Sequence, residues 1–281
     1  MSIERLTPGL NDNFGTIEHL HRYALAMELC KGKKVLDIAS GEGYGSNLLA
    51  SVAADVTGID ISEDAISVAK KKYQKNNLKF VQGSATQIPI ESKVMDVVVS
   101  FETIEHLVEQ EQLLSEFKRV LKDDGVLIIS SPAKEYYSLK DPDNPYHLKE
   151  LTTDELIQLC KQYFTWCDFL YERIVVGTVI STDRNTGFQG SFASARYYDG
   201  DKNQLQSGKV IHQQQNFNVP FFVMAVCSNI KREAELPALS FFDGTTALKS
   251  EIDYLKGSIA SYQNSRILKF SKKLKGVFGI K

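Results

Sequence analysis

Apolar and polar positions in the first half of the chain follow two alternating periods. Short apolar runs at Lys33–Ile38, Val56–Ile59, Leu78–Gln82, Met95–Ser100 and Val126–Ser130 read as strands. Between them the spacing becomes helical, over Gly45–Ala54, Ala65–Tyr73 and Glu111–Leu121. Met95–Ser100 is nearly continuous in apolar residues, as expected of a strand buried on both faces. Ser62, followed by Glu63 and Asp64, predicts a helix start. There a hydroxyl accepts from an orphan N–H, and acids meet the positive end of the helix dipole. Asp123-Asp124-Gly125 predicts a turn into the strand at Val126. This alternation predicts a doubly wound α/β fold with a parallel sheet, whose ligands bind beyond the carboxyl ends of the strands.

The pattern changes after Pro132. Ala133–Pro145 is rich in Pro, Asp and Asn and reads as a loop. Thr152 or Thr153 caps a helix reaching about Tyr163, with Glu155 near the capping-box position. Trp166–Ile180 and Phe221–Cys227 read as strands. The polar stretch Ser181–Asn218 between them is too long for an ordinary connection and reads as a lid or a disordered loop. From about Thr246 a final amphipathic helix begins, with Ile252, Leu255, Ile259, Tyr262, Phe270 and Leu274 roughly on one face.

Composition adds little until it is divided along the chain. With 281 residues, 43% hydrophobic and 24% charged, the sequence suits one sizeable globular domain with appendages. The formal net charge is −2, without the basic bias of a nucleic-acid binder. Lys249–Lys281, however, carries eight basic residues against two acids, which leaves the preceding chain acidic. Cys30, Cys160, Cys167 and Cys227 form no CxxC pair, so they read as free thiols of a reducing cytoplasm. Met1–Leu10 lacks the apolar core of a signal peptide, and no stretch approaches the length of a membrane span.

Directly after the first strand stands Asp37-Ile38-Ala39-Ser40-Gly41-Glu42-Gly43-Tyr44-Gly45. Glycines there permit a tight turn and close approach of backbone to a ligand, and the next helix offers unpaired N–H groups. An acid before the glycines and G-x-G-x-G spacing separate this loop from the nicotinamide fingerprint. Asp60 ends the second strand, where a carboxylate can accept from both hydroxyls of a ribose; a simple capping turn is the lesser alternative.

Over roughly residues 15–165 this constellation resembles the class I S-adenosylmethionine (SAM)-dependent methyltransferases. Gln82-Gly83-Ser84-Ala85, Asp96–Leu107 and Leu121–Pro132 look like its third-, fourth- and fifth-strand motifs. The resemblance implies a Rossmann-like α/β fold: a mostly parallel seven-stranded sheet with helices on both faces. It implies SAM held by Asp37, Ala39, Gly41, Gly43, Asp60, Ile61, Ser84, Ala85 and Phe101, with Ile61 against adenine. Ser84 stands where many relatives carry Asp, which weakens the expected contact to the adenine amino group. Ahead of the sheet, Glu18–Tyr23 looks like a cap, from which Arg22 or Tyr23 could meet the methionine carboxylate; a plain amphipathic helix is the alternative. The implied organisation is an N-terminal cap at 1–30, a methyltransferase domain at 31–230 with an insertion at about 181–218, and a basic amphipathic tail at 245–281.

Just past the fourth strand, Glu102, Glu105 and His106 would share one face of a helical turn. Such charge is costly unless solvated or neutralised by a cation. The E-x-x-E-H run with a later His147 resembles the metal-dependent small-RNA 3′-terminal methyltransferases and, in part, the ubiquinone-pathway O-methyltransferases. That likeness implies Glu102, Glu105, His106 and His147 as ligands of Mg²⁺ or another divalent ion that holds an acceptor diol. Glu102 and His106 are the catalytic candidates; without a metal, His106 would be a general base.

Ser100-Phe101-Glu102-Thr103 replaces the Asn/Asp-Pro-Pro-Tyr motif of amine acceptors, so oxygen is the expected acceptor. Glu4–Gly9, the cap and Phe101–Leu107 together resemble bacterial O-antigen and capsule methyltransferases, which implies a sugar hydroxyl on a lipid- or nucleotide-linked glycan. The tail, with Lys269, Lys272, Lys273 and Lys275 among apolar residues, suits the inner face of a membrane or a coiled-coil partner. A small-molecule O-methyltransferase of quinone or polyketide type shares every motif through His147. A small-RNA enzyme is disfavoured by the acidic body. A non-catalytic SAM-binding subunit is disfavoured by the E-x-x-E-H cluster.

Overall fold

A computed structural model describes residues 14–140, 144–172, 220–232 and 236. The insertion at 181–218, the tail at 245–281 and the motif Glu4–Gly9 lie outside the described residues. Two compact units divide the chain: residues 22–241 with the first five, and residues 6–21 with 242–281. The boundary at residue 21 falls inside the first helix, α1 (Phe14–Cys30).

Seven strands form one sheet: β1 (Lys34–Ile38), β2 (Asp55–Asp60), β3 (Leu78–Gln82), β4 (Met95–Ser100), β5 (Leu121–Pro132), β6 (Trp166–Glu172) and β7 (Phe222–Ser228). Their order is β3-β2-β1-β4-β5-β7-β6. The first five are parallel, and β7 pairs antiparallel with both β5 and β6. The chain winds outward one way from β1 to β3 and then returns to lay β4 on the other side of β1. That reversal opens a crevice at the carboxyl ends of β1 and β4, the place where such sheets bind ligands. This is a Rossmann-like α/β fold, a mostly parallel seven-stranded sheet.

Helices cover both faces, for the reason that the strands are apolar on both. On one face α4 (Gln110–Val120) and α6 (Thr153–Tyr163) press Leu113, Leu114, Phe117, Leu156 and Cys160 onto Leu36, Val98 and Leu127. On the other, Tyr23, Ala26 and Cys30 of α1, with Leu49 of α2 (Tyr44–Leu49), cover Val35, Val97, Val99 and Ile128. The helix α3 (Glu63–Lys72) is capped by Ser62 and docks Ile66 and Ala69 on Phe80.

Two expectations are corrected. The strand expected to start at Val126 begins earlier: β5 starts at Leu121, straight after α4, and its register on β4 shifts between Met95 and Val97, so that residues 122–125 stand opposite Asp96 before regular pairing resumes at Val126. Ala133–Pro145 is not all loop, since α5 (Lys134–Lys140) occupies its first half. Of the strand expected at Trp166–Ile180, Trp166–Glu172 is β6, and residues 173–180 lie outside the described residues. No helix among the described residues is long and apolar enough to cross a membrane.

Candidate active site

The glycine-rich loop joins β1 to α2 and turns by left-handed backbone at Ala39, Gly41 and Gly43, with φ of 57°, 54° and 85°. A Cβ at Gly43 would meet the Phe80 ring at 2.5 Å, and one at Gly45 would overlap the Tyr23 ring. Gly41 has open space at the same position. Glycine is therefore required at 43 and 45 for packing, whereas at 41 it is the left-handed φ that favours it. Asp60 Oδ2 accepts from Gly41 N at 2.9 Å, and Oδ1 accepts from Ser62 N at 2.9 Å. The carboxylate thus serves both the capping turn and the loop. Ile61, next to it, is 72% exposed, an apolar side chain standing open at the carboxyl end of β2.

Asp37 is placed differently from the other cofactor candidates. It is buried, takes a 2.6 Å hydrogen bond from Ser46 Oγ, and lies 3.3 Å from Tyr23 Oη. Burial pushes its carboxyl up to about 7 against the pull of those two hydroxyls. Burial, with Asp37 beside it, also pushes the Tyr23 phenol well above its usual range. Tyr23 meets Tyr44 and Phe101 edge-on, at centroid distances of 5.5 and 5.0 Å. Tyr23 and Asp37 thus brace the glycine loop from beneath. Ser84 turns its hydroxyl to Thr86, at 2.9 Å from Oγ1, and accepts from Thr86 N at 3.2 Å. Ala85 is partly buried against the core.

Arg22 is almost fully buried and pairs with Glu172 at 2.6 Å. Its guanidinium also lies 3.9 Å from Glu102 and 4.5 Å from the centre of the Phe222 ring. Glu102 follows β4 in a left-handed conformation, φ 50°, and accepts from Ser130 Oγ at 2.7 Å. The expected helical turn shared by Glu102, Glu105 and His106 is corrected on this point. The bend at Glu102 precedes a short 3₁₀ turn at Ile104–His106, and that bend sends the Glu102 carboxylate toward Ser130 and Arg22.

Glu105, His106 and His147 do converge, with one ligand atom from each lying within 4.8 Å of the others. Glu105 is buried. His106 Nδ1 lies 2.8 Å from the Tyr146 carbonyl oxygen, which can only accept, so Nδ1 carries a proton and, in the neutral ring, Nε2 carries the lone pair. His147 Nδ1 lies 2.7 Å from Glu150, which fixes its ring the same way. A histidine oriented by a carbonyl or carboxylate on Nδ1 is the usual state of a metal-ligating imidazole. The loop carrying His147 is tied down by Lys149 N donating to Glu105 O at 3.0 Å and by Gln110 Nε2 donating to Lys149 O at 2.7 Å. Two imidazoles and a buried carboxylate fit a divalent ion of intermediate softness.

Sequence reasoning missed Ser46, Ser130, Glu150, Glu172 and Phe222. Only Glu150 had a local signal, three residues after His147. The others reach the site through tertiary pairing.

Residues 36–129 match the family model of the methyltransferase domain. At 36% identity over 159 residues, the chain is similar to a protein of Mycolicibacterium smegmatis named Probable S-adenosylmethionine-dependent methyltransferase; the match covers 56% of this chain and 61% of that protein. At 32% over 150 residues it is similar to the ubiquinone biosynthesis O-methyltransferase of Actinobacillus pleuropneumoniae, covering 49% of this chain and 64% of the relative. The chain thus spans about three fifths of the length of these curated relatives. Among solved structures, the YcgJ protein of Bacillus subtilis superposes with a TM-score of 0.51 at 16% identity, over 76% of this chain and all of that one. A chain from the complex of the Haloferax volcanii Trm112 methyltransferase activator with a methyltransferase superposes with a TM-score of 0.53 at 15% identity, over 80% and 95% of the two chains. These structures support the fold.

Proposed function

We propose that the protein is a SAM-dependent O-methyltransferase whose acceptor hydroxyl is oriented by a divalent ion held by Glu105, His106 and His147. The observation that carries this reading is the convergence of those three side chains at the carboxyl edge of β4. The adjoining β1 bears the methyltransferase-type glycine loop. When bound, SAM supplies a methyl group already activated on a sulfonium sulfur. When bound, the ion supplies Lewis acidity that lowers the pKa of an oxygen acceptor.

The chain's own residues supply placement. Asp60 has acceptor capacity beyond its two backbone contacts, which suits ribose hydroxyls. Ile61 offers an exposed apolar face for a heteroaromatic ring. Gly41 admits backbone close to the ligand. As a ligand, His106 offers the ion the Nε2 lone pair, because Nδ1 faces the Tyr146 carbonyl; without the ion, that lone pair could instead receive the acceptor's proton. Rigid placement is the main requirement, because an in-line displacement from an activated donor gains most from orientation.

For the acceptor we favour a small molecule with neighbouring hydroxyls, in accord with the ubiquinone biosynthesis O-methyltransferases among the relatives. The surface-glycan acceptor suggested by the sequence gains no support from those names. The test is calorimetric titration of Mn²⁺ into protein saturated with S-adenosylhomocysteine, followed by methyl transfer to catechol and to sugar diols with and without EDTA. Binding by the wild type, its loss in His106→Ala/His147→Ala, and transfer to catechol abolished by EDTA are expected. Equal transfer after EDTA would overturn the metal assignment, and transfer to sugar diols alone would overturn the acceptor.

A further inference from the structure

One ion pair links the far end of the sheet to the cofactor side. Glu172 is the last residue of β6, Phe222 the first of β7, and the two are register partners. Both act on Arg22: Glu172 through its carboxylate at 2.6 Å, Phe222 through its ring face at 4.5 Å. The neighbouring backbone is fixed as well, since Phe221 N donates to Glu172 O and Ala133 N donates to Phe221 O, each at 2.9 Å. Arg22 immediately precedes Tyr23. The Tyr23 ring fills the space left by the missing side chain of Gly45, and its hydroxyl meets Asp37. From Arg22 the contacts also run to Glu102 at 3.9 Å and on to Ser130.

We infer that Glu172, backed by Phe222, is a positioning residue for cofactor binding: it clamps Arg22 and thereby sets Tyr23 against the glycine loop. The inference rests on the SAM reading proposed above. Glu172 lies outside the stretch matched by the family model, and no sequence motif marked it. Removing one carboxylate from a buried ion pair is costly, because the partner's charge then loses its direct 2.6 Å contact. Arg22 is expected to respond by moving toward Glu102, and Tyr23, one residue along the same helix, moves with it.

The test is S-adenosylhomocysteine affinity of the full chain by calorimetry, for the wild type, Glu172→Gln and Glu172→Asp, each with its thermal melt. Glu172→Gln is expected to weaken binding about tenfold, equivalent to about 1.4 kcal/mol. Glu172→Asp, which keeps the charge, is expected to recover most of that loss. Phe222→Leu, removing the ring but not the carboxylate, is expected to fall between wild type and Glu172→Gln, and it carries the test if Glu172→Gln fails to fold. A lower melting temperature with unchanged affinity in these variants would assign Glu172 a purely structural role and overturn the inference. Absence of binding by the wild type would overturn the cofactor reading itself.

Discussion

Asp37 carries the clearest electrostatic consequence of a single residue. Burial raises its carboxyl from the ordinary carboxylate range to about 7, so the folded protein holds that proton more tightly than the unfolded chain does. The associated stability is complete below the unfolded pKa and is lost as pH rises through about 7. Asp37→Asn cannot ionise and is expected to flatten this dependence. Melting temperatures from pH 5 to pH 8 should fall more steeply for the wild type than for the variant, by an amount corresponding to roughly 2–4 kcal/mol. Parallel profiles would show that the buried carboxyl titrates normally. The sequence marked Asp37 by its place before the glycines. It could not show that the carboxylate faces Ser46 and Tyr23, because α1 contributes one partner from a segment before β1 and α2 the other. Glu102 shows the same limit: helical spacing put it beside Glu105 and His106, but left-handed backbone at one residue redirected it.

At the scale of elements, local chemistry was most legible where a cap fixes a boundary. Thr152 accepts from Glu155 N at 3.2 Å while Glu155 returns to Thr152 N at 2.7 Å, the reciprocal box the sequence suggested. Thr152→Ala is expected to cost about 1 kcal/mol in urea unfolding. Unchanged stability would mean that packing of Leu156 and Cys160 alone holds α6. Less legible were elements whose boundaries depend on pairing. Asp123-Asp124-Gly125 reads as a turn into a strand at Val126, yet β5 already pairs with Met95 at Leu121 and its register shifts across these residues. The Pro- and Asn-rich stretch after Pro132 hid α5, whose Tyr136 and Tyr137 pack on Phe221 and Phe222 of a much later strand. Those contacts place Tyr137 against His147 at a centroid distance of 5.3 Å, linking the acceptor side to β7.

For the molecule as a whole, strand–helix alternation was enough to anticipate the parallel sheet, because each of its first five strands is an apolar run followed by a periodic helix or turn. The order of β6 and β7 was not legible, since antiparallel insertion of β7 between β5 and β6 depends on residues far apart in sequence. The resulting crevice gathers the glycine loop, Asp60 and the His106–His147 pair at one edge of one sheet. On the function proposed here, this edge binds SAM and not a nicotinamide dinucleotide. Titration of cofactor-free protein with S-adenosylhomocysteine, beside a parallel titration with NAD⁺, tests it most directly. Saturable one-to-one binding of S-adenosylhomocysteine and no heat with NAD⁺ is the predicted result; binding of NAD⁺, or none of S-adenosylhomocysteine, would contradict it.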